Sequence, residues 1–400
     1  MSRPDRRRVA VTGLGVVSAA GIGTEAYFRG LCSPAPVGER RVTGFDPIDH
    51  FDSPKEARRS DPYTQFLVAA ADEALAQAGD IEADPTRCGA MIGTGVGGIS
   101  TLEQQIGVLH EKGARRVSPF LVPMMMANAG GATLSMRYGW MGPSENVVTA
   151  CAAGTHAVGN AARLIAGGRC DAVLAGGTEA PFTPTAVAGF TNMTALSSSG
   201  VSRPFDARRD GFVMAEGAAV LLLEDWDMAQ ARGARILAEV LGSASTADAH
   251  HITAPSPGGS GAVHCMQLAL DDAGVRPADV VHVNAHGTST DLNDAAEAEA
   301  LSKVFGTSPG PLVTSTKGVT GHALGAAGAL EALAVVLAML KGLIPPTAGL
   351  TALDPELPPI RVVTGEPAAW APGVSISNSF GFGGHNGTLV IAPAAQRPSG

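Results

Sequence analysis

The chain has 400 residues, of which 45% are hydrophobic and only 16% are charged, and its formal net charge at neutral pH is −9. A chain of this size and composition can bury a large core, either in one elaborate domain or in two fused halves. The negative charge argues against nucleic acid as a bulk partner, although local basic patches remain compatible with it. The small share of charged residues suits a closely packed protein that forms an oligomer.

The five cysteines are odd in number and widely spaced, and no two of them form a CxxC pair. This pattern predicts a reduced, cytoplasmic protein with neither a disulfide framework nor a zinc site. The cysteines are Cys32, Cys88, Cys151, Cys170 and Cys265.

Two apolar stretches could be mistaken for targeting or membrane segments. Residues 6–8 are arginines and precede an apolar run over 9–17, but glycines interrupt that run, so we expect a first buried strand and turn. The most apolar helical stretch, 326–340, carries Glu331, which argues against a membrane span.

Short apolar runs alternate with helical stretches along the whole chain, which predicts an α/β architecture with largely buried sheets. The strand-like runs are 9–14, 89–92, 147–149, 171–175, 218–223, 280–284, 312–315, 374–377 and 388–391. The helical stretches are 61–78, 152–166, 262–273, 294–305 and 326–341. A strand followed by a glycine-bearing turn and a helix begins near residue 9 and again near residue 280, which indicates a duplicated fold joined near 235–260.

Cys151 lies between an apolar, β-branched run and a helix of small residues. The sulfur is therefore expected at or near a helix N-terminus, where free N–H groups and the helix dipole favour a thiolate. Such a thiolate, with histidines from elsewhere in the chain, can attack a thioester or an amide. The alternative at this point is an unreactive cysteine that fills a tight strand–helix contact.

Two later stretches carry histidines in positions that suit chemistry. His286 comes just past the end of a strand, at the edge where ligand groups gather in open α/β sheets. Lys317 and His322 lie on a loop that opens the apolar helix. Glu331 inside this helix needs a partner if it is buried, and Lys317 and His322 are the candidates; an exposed, structural Glu331 is the alternative. A glycine-rich stretch, 378–386, follows near the end of the chain.

Four segments together, in order and spacing, carry a family resemblance: the Cys151 turn, the His286 stretch, the Lys317–His322 loop and the glycine-rich stretch. They resemble the β-ketoacyl-acyl-carrier-protein synthases, the condensing enzymes of fatty-acid and polyketide synthesis, and most of all the elongating type related to bacterial synthase II. The resemblance covers essentially the whole chain. It implies a duplicated thiolase-like α/β fold with five layers, α-β-α-β-α. The N-terminal half (1–240) would hold the nucleophile and the C-terminal half (241–400) the catalytic histidines.

The resemblance also implies a catalytic set of Cys151, His286 and His322, with Lys317 orienting the His322 region and Glu331 supporting it. Thiolases carry a second cysteine in this pattern and chain-initiating synthases carry histidine and asparagine. Histidine at both positions therefore points to elongation with decarboxylation of a malonyl thioester.

Further site residues are carried over from the family by position. The oxyanion donors would be the backbone N–H groups of Cys151 and Phe382. The remaining positions are Phe380 and Phe382 as a gate, Thr288 and Thr290 at the pantetheine arm, and Val96, Phe120 and Leu121 in the acyl tunnel.

The expected partners are an acyl carrier protein and a second subunit, in a homodimer or in a heterodimer with a chain-length-factor-like chain. Because carrier proteins are acidic, a basic docking rim is expected; the alternative is a solvated helix face or intramolecular ion pairs. The candidates for this rim are Lys55, Arg58, Arg59, Arg115, Arg116, Arg203, Arg208 and Arg209. No metal, cofactor, nucleic acid or membrane is expected, since phosphopantetheine on the carrier holds the substrates.

Several alternatives stay open at this point. Short loops, together with Asp291 and Ala215 where relatives usually show proline and glycine, leave room for a dedicated type II polyketide or polyene ketosynthase paired with a non-catalytic sister subunit. A non-catalytic scaffold subunit and a cysteine hydrolase are two further hypotheses. A Rossmann-type nucleotide site at Gly13 and Gly15 lacks the full glycine spacing.

Overall fold

The structure is a computed structural model, and it describes residues 6–307 and 310–394. Within these residues the strands are β1 Val9–Ser18, β2 Gly21–Ile22, β3 Cys88–Gly93, β4 Ser144–Val147, β5 Ala172–Glu179, β6 Gly217–Asp225, β7 Ala238–Ala247, β8 Val280–Asn284, β9 Leu312–Thr314, β10 Leu343–Ile344, β11 Arg361–Val362, β12 Ala368–Ala369, β13 Val374–Gly381 and β14 His385–Pro393.

The helices of the same residues are α1 Thr24–Leu31, α2 Pro54–Ala57, α3 Pro62–Ala78, α4 Ile99–Lys112, α5 Leu121–Met125, α6 Ala129–Tyr138, α7 Ala153–Ala166, α8 Pro184–Asn192, α9 Trp226–Ala231, α10 Ser260–Ala273, α11 Asp291–Phe305, α12 Lys317–Thr320 and α13 Ala327–Lys341.

The secondary structure follows the prediction closely. The nine predicted strands and five predicted helices are present, most of them with ends that differ by a few residues. The strand β7 was missed, because its serines, threonine and glycine give no continuous apolar run. The N-terminal apolar run forms the buried strand β1, as expected.

The strand order repeats between the two parts of the chain. Five strands of the first part lie in the order β1-β6-β5-β3-β4. Five strands of the second part lie in the equivalent order β7-β14-β13-β8-β9. In each set the first two pairings are antiparallel and the last two are parallel. A short antiparallel contact between β1 and β7 joins the two sets into one continuous sheet.

Helices cover and separate the two sets of strands, which gives five layers. The helix α3 packs on β1 and β6 at one outer face, and α10 packs on β7 and β14 at the other. Between the two sets, α7 and α13 pack against each other and against strands of both sets. The predicted α-β-α-β-α arrangement is thus confirmed, and its middle layer is a pair of buried helices.

The glycines of β1 serve helix packing. A Cβ on Gly13 or Gly15 would collide with the backbone carbonyl of Ala74 or Ala70, both in α3. These glycines therefore let α3 lie directly on the strand, and they stand inside a buried strand rather than in a loop that could cradle a phosphate.

One stretch of helix, Leu324–Lys341, is long and apolar enough to cross a membrane by length and composition. Its apolar window is 89% buried inside the protein. This burial is typical of the core helix of a folded domain.

The close contact between β1 and α3 predicts a sharp difference between two glycine substitutions. Gly15→Ala should lower the free energy of unfolding by about 2 kcal/mol, because α3 must move away from the strand to admit the new methyl group. The matched control Gly189→Ala lies in α8 with nothing within 4 Å of the added Cβ, and should raise stability by up to about 1 kcal/mol. Chemical denaturation measures both, and equal effects would contradict the packing argument.

Candidate active site

Cys151 lies at the turn that leads from β4 into α7. Residues Ala150–Ala152 form one turn of 3-10 helix directly before α7 begins. Ala150 has a positive φ of 49°, a strained conformation for a residue with a side chain. The predicted strand–turn–helix setting of Cys151 is therefore present, and the strained residue before it fixes the direction of the thiol, which is buried.

The fold brings Cys151 together with the two predicted histidines. Its Sγ lies 3.0 Å from Nε2 of His322. The rings of His286 and His322 meet edge to face, with centroids 5.3 Å apart. One ligand atom from each of the three residues lies within 4.8 Å of the others, and all three residues are buried.

Four contacts fix the position of His286 and Gly287 just after β8. The carboxylate of Glu297, in α11, accepts hydrogen bonds from the backbone N–H groups of His286 (2.8 Å) and Gly287 (2.7 Å). On the other side, Nζ of Lys317 lies 2.6 Å from the carbonyl oxygen of His286 and 3.2 Å from its Nδ1. The ammonium of Lys317 also pairs with the carboxylate of Glu331.

These contacts correct one expectation and settle another. The sequence placed Lys317 beside His322, whereas its ammonium contacts His286, because the short helix α12 turns the lysine toward the end of β8. The buried Glu331 does have the partner that its burial demands, and that partner is Lys317.

His322 is held mainly through its backbone. Its N–H donates to the carbonyl of Val213 (2.7 Å), and its carbonyl accepts from Ala215 (3.1 Å). The ring of Phe212 packs edge to face on the imidazole, with centroids 5.3 Å apart. Within the described residues Nδ1 of His322 has no hydrogen-bond partner.

Burial dominates the electrostatics of the site. It raises the pKa of the Cys151 thiol to about 11, although the charge of Lys317 and the backbone N–H groups of Phe382 and Cys151 act in the opposite direction. Burial also lowers the pKa of both His286 and His322, and the nearby Lys317 ammonium lowers them further. Burial therefore favours a neutral thiol beside a neutral imidazole, and it opposes the thiolate that the helix end favours.

The two predicted oxyanion donors meet at Cys151. The backbone N–H groups of Phe382 and of Cys151 itself both reach the sulfur. Phe382 lies in the turn after β13, and Gly381 before it comes so close that a Cβ there would lie 3.0 Å from the backbone nitrogen of Cys151. The ring of Phe380, on the same strand, lies 5.9 Å from that of His286.

The predicted substrate residues occupy two sides of the site. Thr288 follows His286, and its hydroxyl lies 2.8 Å from that of Thr290. Val96 and Phe120 are 46% and 36% exposed, and Leu121 is half-buried at the start of α5. Thr288 is buried two residues after His286, whereas Val96 and Phe120 are partly exposed in the single chain.

The predicted docking residues differ in their surroundings. Lys55, Arg58, Arg115 and Arg116 are exposed. The Arg59 guanidinium lies 4.1 Å above the ring of Phe120. Arg208 pairs with Asp206, and Arg203 donates to the carbonyl of Arg208. Arg209 is only 6% exposed and pairs with Asp354 at 2.5 Å, so the alternative of an intramolecular ion pair describes it better than a docking role.

Sequence reasoning missed two buried glutamates and one aromatic ring of the site. Glu297 holds the His286 backbone, Glu179 lies at the end of β5, and Phe212 packs on His322. The available signal was an acidic residue at the end of an apolar strand, or within a helix that follows a catalytic loop. Because single glutamates are usually exposed, that signal is weak.

A sulfur and two imidazoles are also ligand types that zinc accepts. Ideal zinc geometry separates a sulfur from a nitrogen ligand by about 3.6 Å. The Sγ to Nε2 distance of 3.0 Å is shorter, and it is a hydrogen-bond distance. The geometry therefore fits a nucleophile and its hydrogen-bond partner better than a pair of metal ligands.

The raised pKa of Cys151 predicts how its alkylation depends on pH. If the resting thiol is neutral, the rate of alkylation by iodoacetamide should rise about tenfold per pH unit from pH 7 toward the pKa of about 11. Intact-mass spectrometry after timed quenching measures this rate. A rate that is already constant near pH 7 would show a resting thiolate and contradict the prediction.

Comparisons with known proteins identify the family of the chain. The chain matches the model described as Beta-ketoacyl synthase, N-terminal domain over residues 37–229, and the model described as Beta-ketoacyl synthase, C-terminal domain over residues 237–351. A relative from Synechocystis sp., named 3-oxoacyl-(acyl-carrier-protein) synthase 2, is 42% identical over 414 residues, which cover 98% of this chain and 99% of the relative.

Solved structures give the same result. The ishigamide ketosynthase/chain length factor is 34% identical, with a TM-score of 0.89 over 98% of this chain and 100% of the other. A ketosynthase solved in complex with its type II PKS acyl-carrier protein is 31% identical, with a TM-score of 0.86 over 98% of this chain and 100% of the other. Matched by both domain models in order and by a close relative over almost its whole length, the chain belongs to the beta-ketoacyl synthase family.

Proposed function

We propose that this chain is an elongating acyltransferase of the β-ketoacyl-acyl-carrier-protein synthase type. It joins an acyl group on Cys151 to a malonyl carrier, with loss of CO2, and forms a β-ketoacyl carrier protein. The observation that carries the proposal is one buried sulfur that meets an imidazole at 3.0 Å, a second imidazole and two backbone N–H groups. A non-catalytic scaffold would not need this convergence.

In the first half-reaction the Cys151 thiol gives its proton to Nε2 of His322, 3.0 Å away, and its sulfur attacks the carbonyl carbon of the acyl carrier thioester. The developing oxyanion is stabilised by the N–H groups of Cys151 and Phe382, which lie beside the sulfur and act on its pKa. When the tetrahedral intermediate collapses, the carrier thiolate leaves and takes up a proton. The acyl group then stays on Cys151 as a thioester.

In the second half-reaction the malonyl carrier loses CO2, and negative charge develops on its thioester oxygen as an enolate. Nζ of Lys317 faces Nδ1 of His286, so an N–H of the ammonium donates to this nitrogen and the ring proton of His286 is on Nε2. That N–H can then stabilise the enolate oxygen together with His322. The carbanion attacks the acyl-Cys151 carbonyl, and the Cys151 thiolate leaves and takes up one proton from solvent, which restores the neutral thiol.

The partners that we propose are an acyl carrier protein and a second subunit of the same fold. Two of the structural neighbours are described as a ketosynthase with its acyl-carrier protein and a ketosynthase/chain length factor. On this chain, exposed apolar side chains lie on α4 and α5, which pack together, and near β4 at the edge of the sheet. They are Leu102, Ile106, Leu109, Val122, Met126 and Val148. A homodimer and a heterodimer with a chain-length-factor-like chain both fit this surface.

Three further expectations belong to the same proposal. The repeated strand order supports two halves, and the expected boundary between 1–240 and 241–400 falls inside β7 (Ala238–Ala247), the first strand of the second set. Residues 1–5, 308–309 and 395–400 lie outside the described residues. The substrates are carried on phosphopantetheine, so no resident cofactor or metal takes part. The five free cysteines, four of them buried, support a cytoplasmic location.

The proposal predicts a specific acyl adduct. Wild-type protein incubated with an acyl carrier thioester should gain the mass of one acyl group, and added malonyl carrier should convert it to a product two carbons longer. Cys151→Ala should show no adduct. The matched control Cys265→Ala, at another buried cysteine whose pKa is raised to about 11, should keep the adduct. An adduct that persists in Cys151→Ala, or release of free acid by the wild type, would refute the proposal.

The close approach of Gly381 to the nucleophile yields a second prediction. Gly381→Ala should reduce kcat by about 10²-fold, because its Cβ forces the Phe382 turn away from the backbone of Cys151 and separates the two N–H groups. Steady-state condensation assays measure kcat, and a thermal unfolding scan checks that the fold is intact. A variant that is folded and fully active would show that these N–H groups do not stabilise the transition state.

A further inference from the structure

Glu179 is a buried carboxylate for which the proposed mechanism has no role. It ends strand β5 and has no exposed surface. Four donors surround it: the backbone N–H groups of Gly95, Val96 and Gly325, and the hydroxyl of Thr94. No cation pairs with it in the part of the chain that the structure describes, so hydrogen bonds alone oppose the burial, which raises the pKa of Glu179 to about 7.

The two oxygens of Glu179 join two separate segments. Oε2 accepts from Gly95 at 2.6 Å and from Gly325 at 2.9 Å, while Oε1 accepts from Thr94 at 3.1 Å and from Val96 at 3.3 Å. The two segments are in direct contact at this point, as a Cβ added to Gly325 would collide with the backbone nitrogen of Gly95. The single carboxylate thus holds two backbones at van der Waals distance.

One of these segments is the turn that follows His322. Leu324 has a positive φ of 44°, a conformation that costs free energy for a residue with a side chain. Its side chain packs in one apolar cluster with Cys151 and Phe212. The hydrogen bond from the backbone N–H of Gly325 to Glu179 lies one residue after Leu324 and stabilises this strained turn. It therefore fixes the position of the His322 side chain relative to the sulfur of Cys151.

The other segment, residues 94–97, is the predicted wall of the acyl tunnel. The hydroxyl of Thr94 donates to Glu179 and accepts from the N–H of Gly97 at 3.1 Å, so the shape of the loop depends on this contact. The next residue, Gly98, donates to the carbonyl of Met125 in α5, the helix that begins at Leu121. A shift at Glu179 would therefore move Val96 relative to the nucleophile.

We propose that Glu179 is a positioning residue that fixes the loop 94–97 against the turn after His322 and thereby sets which acyl chains reach Cys151. This inference rests on the proposed function, since it presumes an acyl group on Cys151. The charge of Glu179 also raises the pKa of Cys151, which shows that the carboxylate lies within electrostatic reach of the sulfur.

The test compares the full-length wild type with Glu179→Gln, which keeps the side-chain volume but replaces one acceptor oxygen by a donor. Rates of Cys151 acylation are measured by intact mass with carrier thioesters of short and long acyl chains. Glu179→Gln should slow acylation by long chains about tenfold and by short chains no more than about threefold, because only long chains press on the loop.

The matched control is Glu73→Gln. Glu73, in α3, also holds two backbone N–H groups, those of Val16 (2.9 Å) and Thr24 (2.7 Å), but it packs on the outer face of the sheet. This variant should keep the wild-type ratio of long-chain to short-chain rates. If Glu179→Gln fails to fold, Thr94→Val replaces it, because that change removes the hydroxyl bridge and keeps the shape; its rate ratio should shift in the same direction.

The outcomes separate the two levels of the proposal. Normal acylation of the wild type, with equal losses for short and long chains in the loop variants, overturns the positioning role of Glu179 and leaves the condensing function intact. A wild type that accepts no acyl group at all overturns the proposed function and this inference with it.

Discussion

The active site depends on the backbone contact between the two central helices, α7 and α13. A Cβ on Gly154 would lie 2.7 Å from the nitrogen of Ala329, and one on Gly328 would lie 2.6 Å from the nitrogen of Thr155. Only glycine permits this approach. The turns that open the two helices, Ala150–Ala152 and Leu324–Ala326, meet at the same place. Cys151 lies on the first turn and His322 just before the second, so the helix contact itself sets the distance from the sulfur to the imidazole.

The depth of this contact explains the electrostatics around it. A site between the two sets of strands is shielded from water, so burial pushes the thiol and both imidazoles toward their neutral forms. Polar groups on the surrounding loops then need buried partners. Three glutamates meet this need: Glu331 pairs with Lys317, Glu297 caps the His286 backbone and Glu179 joins the loop 94–97 to the turn after His322. The positions of the cysteine and the two histidines thus depend on buried carboxylates around them.

Much of the fold could be predicted because its signals are local. The apolar runs and helical stretches of the sequence correspond to strands and helices of the structure. Among the described strands of eight or more residues only β7 was not predicted, because its small and polar residues resemble those of a loop. The catalytic set was predicted from separate motifs and their resemblance to a family, and the structure brings these residues together. The contact of Lys317 with His286 instead of His322 was not predictable, because it depends on how the loop folds back over the end of β8.

By itself, the sequence determined the alternating α/β architecture and the turn that carries Cys151, because hydrophobic periodicity and glycines are local features of the chain. The choice of His286 and His322 came from the resemblance of four motifs to a family. Only the tertiary structure decided the burial of the thiol, the partners of the buried glutamates and the inward ion pair of Arg209. These features arise where segments that lie up to hundreds of residues apart in the sequence come into contact. A local sequence pattern specifies neither which segments meet nor how far their contact excludes water from a side chain.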